Sequence, residues 1–556
     1  MDANGIPVPP KNMVEARKRP DRQMWEDARL KEEKSLHDLG VFEYLTYEEL
    51  KALGIVPRKR IVPMRMLLTA KMKSDGSFDR AKCRNIVQGH KGYLQKGVHY
   101  AATVFAPTPS LAENRLIQAL AVGDNYVRFC FDVETAFLHA DFESEEERLP
   151  VRFAEGCRKF NKDGKELFGL LRRNLYGTPM APKNWTRCRN DFILNEMGKD
   201  EGWQVSQMIY APCMFKVVID GLTSYLVIHT DDIDGITKDP KHAERIMLKF
   251  KEKFGIKVVS PTDMLGLERH VYVKDGVRYC HLSQKAYVDR LWREFGHHRR
   301  TTRVPERPCG DILFTTKETG KAVEVDKEES DAVIQKGYRE LVGGLLWPAR
   351  NTAPSIQHAV SQLCKCMQSP SLNAWSSALQ VLHWLYANRE EGITFRSDGN
   401  SVLRCFSDSG HFQSRTTGGL AAGYKNTWGC CIHLFNGPIL WISKRHSHSG
   451  LSAAEDEYMA LCHAGRQVVW LRHLLTEMGQ EQHVGPDPTV IECDNKQALG
   501  WSTEQMVTNG NRFIERDYHK VKEWVEMGYL DPRHVKGIEN PSDLFTKSPG
   551  DSDHHS

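Results

Sequence analysis

The chain has 556 residues, 40% of them hydrophobic, 9% aromatic and 27% charged; this excludes a single small module and the apolar-poor, highly charged composition of a disordered chain. The 76 Lys and Arg against 72 Asp and Glu leave a formal charge of only +4. No global field therefore points to a polyanionic partner, and any nucleic-acid site must come from local clustering.

The opening residues, MDANGIPVPPKNMVEARKRP, are polar and proline-rich, and no apolar run reaches about 18 residues, so neither an export signal nor a membrane span is expected. The 14 cysteines include no CxxC pair, only the CxC of Cys364 and Cys366 and the adjacent Cys430 and Cys431. That usage fits reduced thiols in an intracellular protein rather than a disulfide framework or a zinc ribbon.

In chain order, residues 1–60 read as a polar leader and then an amphipathic helix, since Trp25, Ala28, Leu30 and Leu36 recur at roughly helical spacing. A basic stretch, PRKRIVPMR, follows. Strands dominate from about 61 to 290, with Asp-Gly hairpin turns expected at Asp75–Gly76, Asp220–Gly221 and Asp275–Gly276. From about 283 to 400 the pattern turns helical through QKAYVDRLWREFG, YRELVGGLLWPARN, IQHAVSQLCKCMQ and WSSALQVLHWLYAN. Between the first two of these lies HHRRTTRVPER, basic and proline-punctuated, either an exposed contact to phosphates or a solvated loop. Strand signals return in LRCFSD, GGLAAGY and WGCCIHLFNGPILWISKR, the last with a turn at Asn436–Gly437. A long helix follows, whose stripe of Leu461, Ala464, Val468, Leu471 and Leu475 ends at Gly479. A further strand, TVIECD, and a final helical pair complete a compact α/β unit.

Several acids stand at the ends of apolar strands. Asp231 and Asp232 are adjacent in YLVIHTDDIDGI, and Asp132 closes the apolar run of VRFCFDVETAF. A carboxylate at the mouth of a buried strand costs desolvation unless a cation or donor compensates it. Three such acids brought together would suit two divalent metals with oxygen ligands, about 3.5 to 4 Å apart; spacing alone does not say that they meet. Asp408, Glu457, Asp494 and Asp543 are dispersed over strand, helix, strand and helix, and each alone reads equally as an ordinary strand-end or helix-start acid.

FDVETAF, TDD about a hundred residues later, and the intervening LRRNLYGTPMAPKNW closely resemble the reverse transcriptase of copia-type LTR retrotransposon Pol polyproteins. The resemblance extends over nearly the whole chain, through FDRAKCRNIVQGHKGYLQKGVHYAATVFAP, MLGLERHVYV, LSQKAYVDRL and YRELVGGLLWPARNTAPSIQHAVSQL. It implies an α+β multidomain fold: a right-hand polymerase of fingers, palm and thumb followed by an α/β ribonuclease H-like domain. The spans it implies are a leader and helix over 1–60, fingers and palm over 61–290, a helical thumb or connection over 291–400 and the ribonuclease H-like domain over 401–550.

By the same resemblance Asp132, Asp231 and Asp232 hold two Mg2+ ions, with Mn2+ as the alternative, while a primer 3′ hydroxyl attacks an incoming nucleotide. Phe137 falls where a ring meets the sugar, Lys82 and Arg84 match basic positions for the triphosphate, and Tyr176 and Gly177 match the loop beneath template and nucleotide. LSAAEDEYMAL and IECDNKQAL resemble the ribonuclease H portion, with Asp408, Glu457, Asp494 and Asp543 as its four carboxylates. Glu457 is chosen over Glu455 by helix register, and His534 stands near a histidine that assists product departure. One departure from the family is His229 and Thr230 before the paired acids, where an aromatic residue and valine are usual; the surface supporting the primer end is thereby altered.

The expected partners are an RNA template, a DNA primer, an RNA/DNA hybrid and dNTPs, in an intracellular setting, cytoplasmic within a virus-like particle or nuclear. Two other readings differ in class. Asp408-Ser409-Gly410 also spells an aspartic-protease motif, and a catalytically weak or inactive relic that binds nucleic acid is the alternative to an active enzyme. With no protease half, CCHC knuckle or integrase head in it, the sequence is expected to be a processed product, a fragment or a truncated reading frame.

Overall fold

The computed structural model describes residues 6–72, 77–90, 92–100, 103–264, 266–299, 301–309, 325–410, 426–447, 450, 452–504, 514 and 516–547. The expected turn at Asp75–Gly76 and the strand over GGLAAGY lie outside them. The chain is a mixed α/β protein that divides into two compact units. One comprises Met1–Thr108, Phe129–Gln207 and Cys213–Ser260, and the other Pro109–Arg128, Met208–Pro212 and Pro261–Ser556.

A six-stranded sheet forms the heart of the first unit. Its order is Ile256–Val259, Val127–Val133, Asp232–Thr237, Leu222–His229, Met214–Ile219 and Gln204–Gln207. Burial dictates the centre of this sheet: residues 224–228 are buried without a break, as a strand covered on both faces requires. The hairpin at Asp220–Gly221 forms as expected, with φ of +50° and +79°, the left-handed pair that a two-residue turn of primed type needs. Helix Pro240–Phe254 starts with Asp239 accepting from the Lys241 N–H and Pro240 at its first position. It buries Ile246, Phe250 and Phe254, and Phe250 and Phe254 meet Phe192 edge-on at 5.3 and 5.1 Å.

A second sheet of this unit runs Phe42–Thr46, Glu166–Leu171, Pro150–Arg152, Val62–Met72 and Phe78–Val87, with Lys159–Phe160 beside Glu166–Leu171. The leader is thus more than helix: beyond helix Arg22–Asp38 it supplies an edge strand, Phe42–Thr46. In strand Phe78–Val87 the buried Cys83, Asn85 and Val87 alternate with Lys82 and Arg84. Period-two geometry therefore places both basic residues on the opposite face.

The second unit contains the expected helices Lys285–Phe295, Tyr338–Asn351, Gln357–Lys365 and Leu372–Ala387, with Lys327–Gln335 besides. They share a core that includes Leu291, Phe295, Val333, Leu345, Val360 and Leu382. The hairpin at Asp275–Gly276 joins Leu267–Lys274 to Val277–Ser283. HHRRTTRVPER is largely exposed where it is described.

The five-stranded sheet of this unit runs Gly437–Arg445, Thr427–Leu434, Arg404–Gly410, Thr489–Cys493 and Leu530–His534. The first three strands are antiparallel and the last two join in parallel. Its turn sits one residue earlier than expected. Phe435 and Asn436 take the positive φ values, +52° and +60°, while Gly437 already belongs to the strand. Gly437 answers a different need: a Cβ there would lie 2.3 Å from the Phe395 ring. Helix Ala453–Met478 begins with the Ser452 hydroxyl accepting from the Glu455 N–H and ends at Gly479 with φ +79°. The expected apolar stripe from Leu461 to Leu475 is buried along it. Among the described residues, which include all 14 cysteines, there is no disulfide, and no helix is long and apolar enough to cross a membrane.

Candidate active sites

In the first unit the strand carrying Asp132 lies directly beside the strand that Asp232 opens. The Val133 N–H donates to the Asp231 carbonyl at 2.9 Å, so the two segments are tied at the acids themselves. Burial, then the neighbouring Asp231 and Asp232, pushes the Asp132 carboxyl up to about 6. Burial and Asp231 do the same to Asp232, also to about 6. The turn that joins Leu222–His229 to the strand Asp232 opens is Thr230–Asp231, and Thr230 holds φ +61°, an uncommon conformation for a β-branched residue. Its carbonyl accepts from Trp185 Nε1 at 2.7 Å and Arg189 Nη1 at 3.4 Å.

The other residues singled out in this unit form a connected group. The Arg84 guanidinium lies 5.7 Å from the centre of the Tyr176 ring, and Tyr176 meets Phe137 edge-on at 5.7 Å. Burial, then Glu32, raises the Tyr176 hydroxyl to about 12, with smaller contributions from Asp231 and Asp132. Lys82 is lowered by burial and by Arg84, while Asp132 acts in the opposite sense. Gly177 has φ +86°, and a Cβ on it would lie 2.1 Å from the Val87 carbonyl oxygen, so glycine is required both for conformation and for close approach.

In the second unit four acids separated widely in sequence converge. Asp408 lies in the central strand, two residues before its end, and is wholly buried. Carboxylate oxygens of Asp408, Asp494 and Asp543 lie within 4.8 Å of one another, and Glu457, Cys493 and Asp494 form a second such group. Glu457 accepts from the Ser409 N–H at 3.1 Å and from Cys493 Sγ at 3.7 Å. Burial, then Asp408 and Asp494, pushes Glu457 well above the ordinary carboxylate range. Burial, then Asp408, raises Asp494, and the same pair of causes takes Asp543 to about 7.

Among the described residues, these are the groups of three with ligand atoms so close; the oxygens of Asp132, Asp231 and Asp232 do not all come within that distance. The second site's donor set is carboxylate oxygens, those of Glu457, Asp494 and Asp543 raised in pKa by burial and the neighbouring Asp408, and it fits a hard divalent cation. The first site fits on the shared position of its acids and the raised pKa of Asp132 and Asp232.

Glu457 points to Ser409 and Cys493, whereas the neighbouring Glu455 follows the helix cap. His534 is exposed at the end of the last strand, opposite Cys493, and its charge bears on Asp494. Asp408-Ser409-Gly410 lies within a buried strand, not in the loop that a protease needs. Three residues escaped sequence reasoning. Thr546 donates its hydroxyl to Asp408 Oδ2, and Lys547 contacts Asp543 and Asp408. Asp456 is buried and accepts from the Gly450 N–H at 2.8 Å and Asn426 Nδ2 at 2.7 Å. Alternation of buried and exposed residues marks none of them.

Residues 52–305 match the family of reverse transcriptase (RNA-dependent DNA polymerase), which defines the class of the polymerase-like part. Similar proteins extend the match along the chain. The retrovirus-related Pol polyprotein from transposon TNT 1-94 of Nicotiana tabacum is 25% identical over 545 residues, 97% of this chain and 38% of its own length. Those from transposons RE2 and RE1 of Arabidopsis thaliana are each 27% identical over 88% of this chain and 31% of their own. Over most of its length the chain is similar to copia-type retrotransposon Pol polyproteins, and the reverse transcriptase match lies within that span. The chain spans about a third of the length of these relatives.

Proposed function

We propose that the chain is a reverse transcriptase with ribonuclease H: it makes DNA from dNTPs on RNA and DNA templates and cuts the RNA strand of RNA/DNA hybrids, serving retrotransposon replication inside the cell. In this reading residues 61–290 act as fingers and palm, 291–400 as thumb or connection and 401–550 as the nuclease domain. The convergence of Asp408, Glu457, Asp494 and Asp543 from four elements of one sheet-and-helix unit carries the reading, supported by the seating of Asp132 beside Asp231 and Asp232.

Mg2+ or Mn2+ would be held by Asp132, Asp231 and Asp232 in the first site and by the four acids in the second. When bound, such ions lower the pKa of an attacking hydroxyl or water and neutralise charge on the phosphate. The protein's own part is positioning. Lys82 and Arg84, on one strand face, bind the triphosphate; the Phe137 ring borders the sugar and excludes a 2′ hydroxyl; Tyr176 and Gly177 floor the nucleotide. The Ser409 N–H orients Glu457, and His534 at the rim of the second site aids product departure.

Primer extension on an RNA template with Mg2+ tests the first activity, and cleavage of labelled hybrid RNA tests the second. Asp231→Asn/Asp232→Asn is expected to abolish extension and spare cleavage, and Asp408→Asn the reverse. The relic reading draws on the strained Thr230 and on first-site oxygens less tightly gathered than those of the second. A parent chain inactive in both assays, yet binding hybrid with a steep salt dependence, would establish it instead.

A further inference from the structure

The four acids of the second site come with a basic residue that the reading above does not use. Lys547 lies one helical turn beyond Asp543, and its Nζ is 3.0 Å from Asp543 Oδ1 and 3.4 Å from Asp408 Oδ1. Those two acids and Asp494 crowd their oxygens within 4.8 Å, and Asp408 has no exposure to water of its own. Like charges so placed repel strongly unless a cation stands between them. The ammonium stands there.

A divalent ion would need the same space, because Mg2+ binds carboxylate oxygens at about 2.1 Å. The anchoring differs between neighbours. The Thr546 hydroxyl grips Asp408 from a buried position, whereas the Lys547 side chain is 41% exposed, on a flexible four-carbon stem that can carry its charge out to water.

We propose that Lys547 is a tethered counter-cation of this site, seated between Asp408 and Asp543 in the metal-free protein and displaced toward solvent when a divalent ion enters. The inference rests on the reading of these acids as a metal site. The competition is one of space and charge, with the lysine protonated throughout. Lys547 is a positioning residue: it holds the acids together before the ion arrives and sets the ion concentration at which the site fills.

The test uses the full chain carrying Asp231→Asn/Asp232→Asn, which removes the first unit's acids, and follows Mn2+ binding by the electron paramagnetic resonance of the free ion. Lys547→Met is expected to bind Mn2+ about tenfold more tightly and to have a lower Tm without the ion. Lys547→Arg keeps the charge and is expected to stay within about threefold of the lysine form. Equal or weaker Mn2+ binding by Lys547→Met overturns the proposal while leaving the metal site intact. Mn2+ binding unchanged by Asp408→Asn, or absent from the lysine form, overturns the metal-site reading and the proposal with it.

Discussion

The guanidinium of Arg115 lies 3.9 Å from the centre of the Trp441 ring, two residues of the second unit far apart in sequence. Arg115 is buried. It donates to the carbonyls of Ile439 and Arg350 at 2.8 Å and of Asn351 at 3.3 Å, and Trp441 Nε1 donates to the Ala349 carbonyl at 2.9 Å. The arginine thereby ties helix Leu111–Gly123 to the end of helix Tyr338–Asn351 and to the sheet. Arg115→Ala leaves those carbonyls buried and unpaired and is expected to cost about 3 kcal/mol, read as a lower urea midpoint by circular dichroism. A midpoint within error of the parent would contradict this.

The raised carboxyls of Asp132 and Asp232 make stability depend on pH. Each has a folded pKa of about 6 against an ordinary 3.8, so between those values the folded chain holds more protons than the unfolded one. Stability then falls as pH rises through that window, and the full penalty is present above it. Asp132→Asn and Asp232→Asn remove it. Each is expected to be more stable than the parent by about 1 kcal/mol at pH 8, a figure reduced for solvent screening, with the gain vanishing near pH 4. Calorimetric Tm values at the two pH values decide the matter; a gain independent of pH would refute the assignment.

Thr230 stores strain where the two acidic segments meet. Its φ of +61° costs a β-branched residue roughly 1–2 kcal/mol, and its bonds to Trp185 and Arg189 use only the backbone carbonyl. Thr230→Gly keeps both and is expected to raise stability by about 1 kcal/mol. A lower Tm would show that the threonine side chain holds the turn.

Gly177 and Gly202 separate conformation from crowding. Both have positive φ, but a Cβ at Gly202 would meet nothing within 4 Å, whereas at Gly177 it would strike the Val87 carbonyl. Gly202→Ala should cost about 1 kcal/mol, the left-handed penalty alone. Gly177→Ala should cost at least about 1 kcal/mol more, since the obstacle is backbone, and should weaken dNTP binding in primer extension. Equal costs would mean that the loop yields freely.

Much of the fold is legible because local physics is strict. Asp220–Gly221 and Asp275–Gly276 mark hairpins because two-residue turns demand positive φ, and the stripe from Leu461 to Leu475 marks a helix by its period. Asn436–Gly437 misleads by one residue: Phe435 tolerates its left-handed φ with its ring buried, and the glycine is needed for the Phe395 contact. Helix Leu111–Gly123 goes unread because Glu113, Asn114, Arg115 and Gln118 are buried in it, so polar letters disguise an interior segment. The seven acids stand out through family motifs. Thr546 and Lys547 do not, since a hydroxyl and a lysine near a chain end carry no periodicity, and only the fold shows that they reach Asp408.

The assignment of Pro109–Arg128 and Met208–Pro212 to the second unit means that the backbone commutes between the units instead of finishing one before starting the other. No single scission can therefore yield two self-sufficient halves. A fragment beginning at Pro261 forfeits Arg115 and leaves Trp441 without its cation, so the second unit, unlike a bead on a string, depends on sequence embedded between stretches of the first.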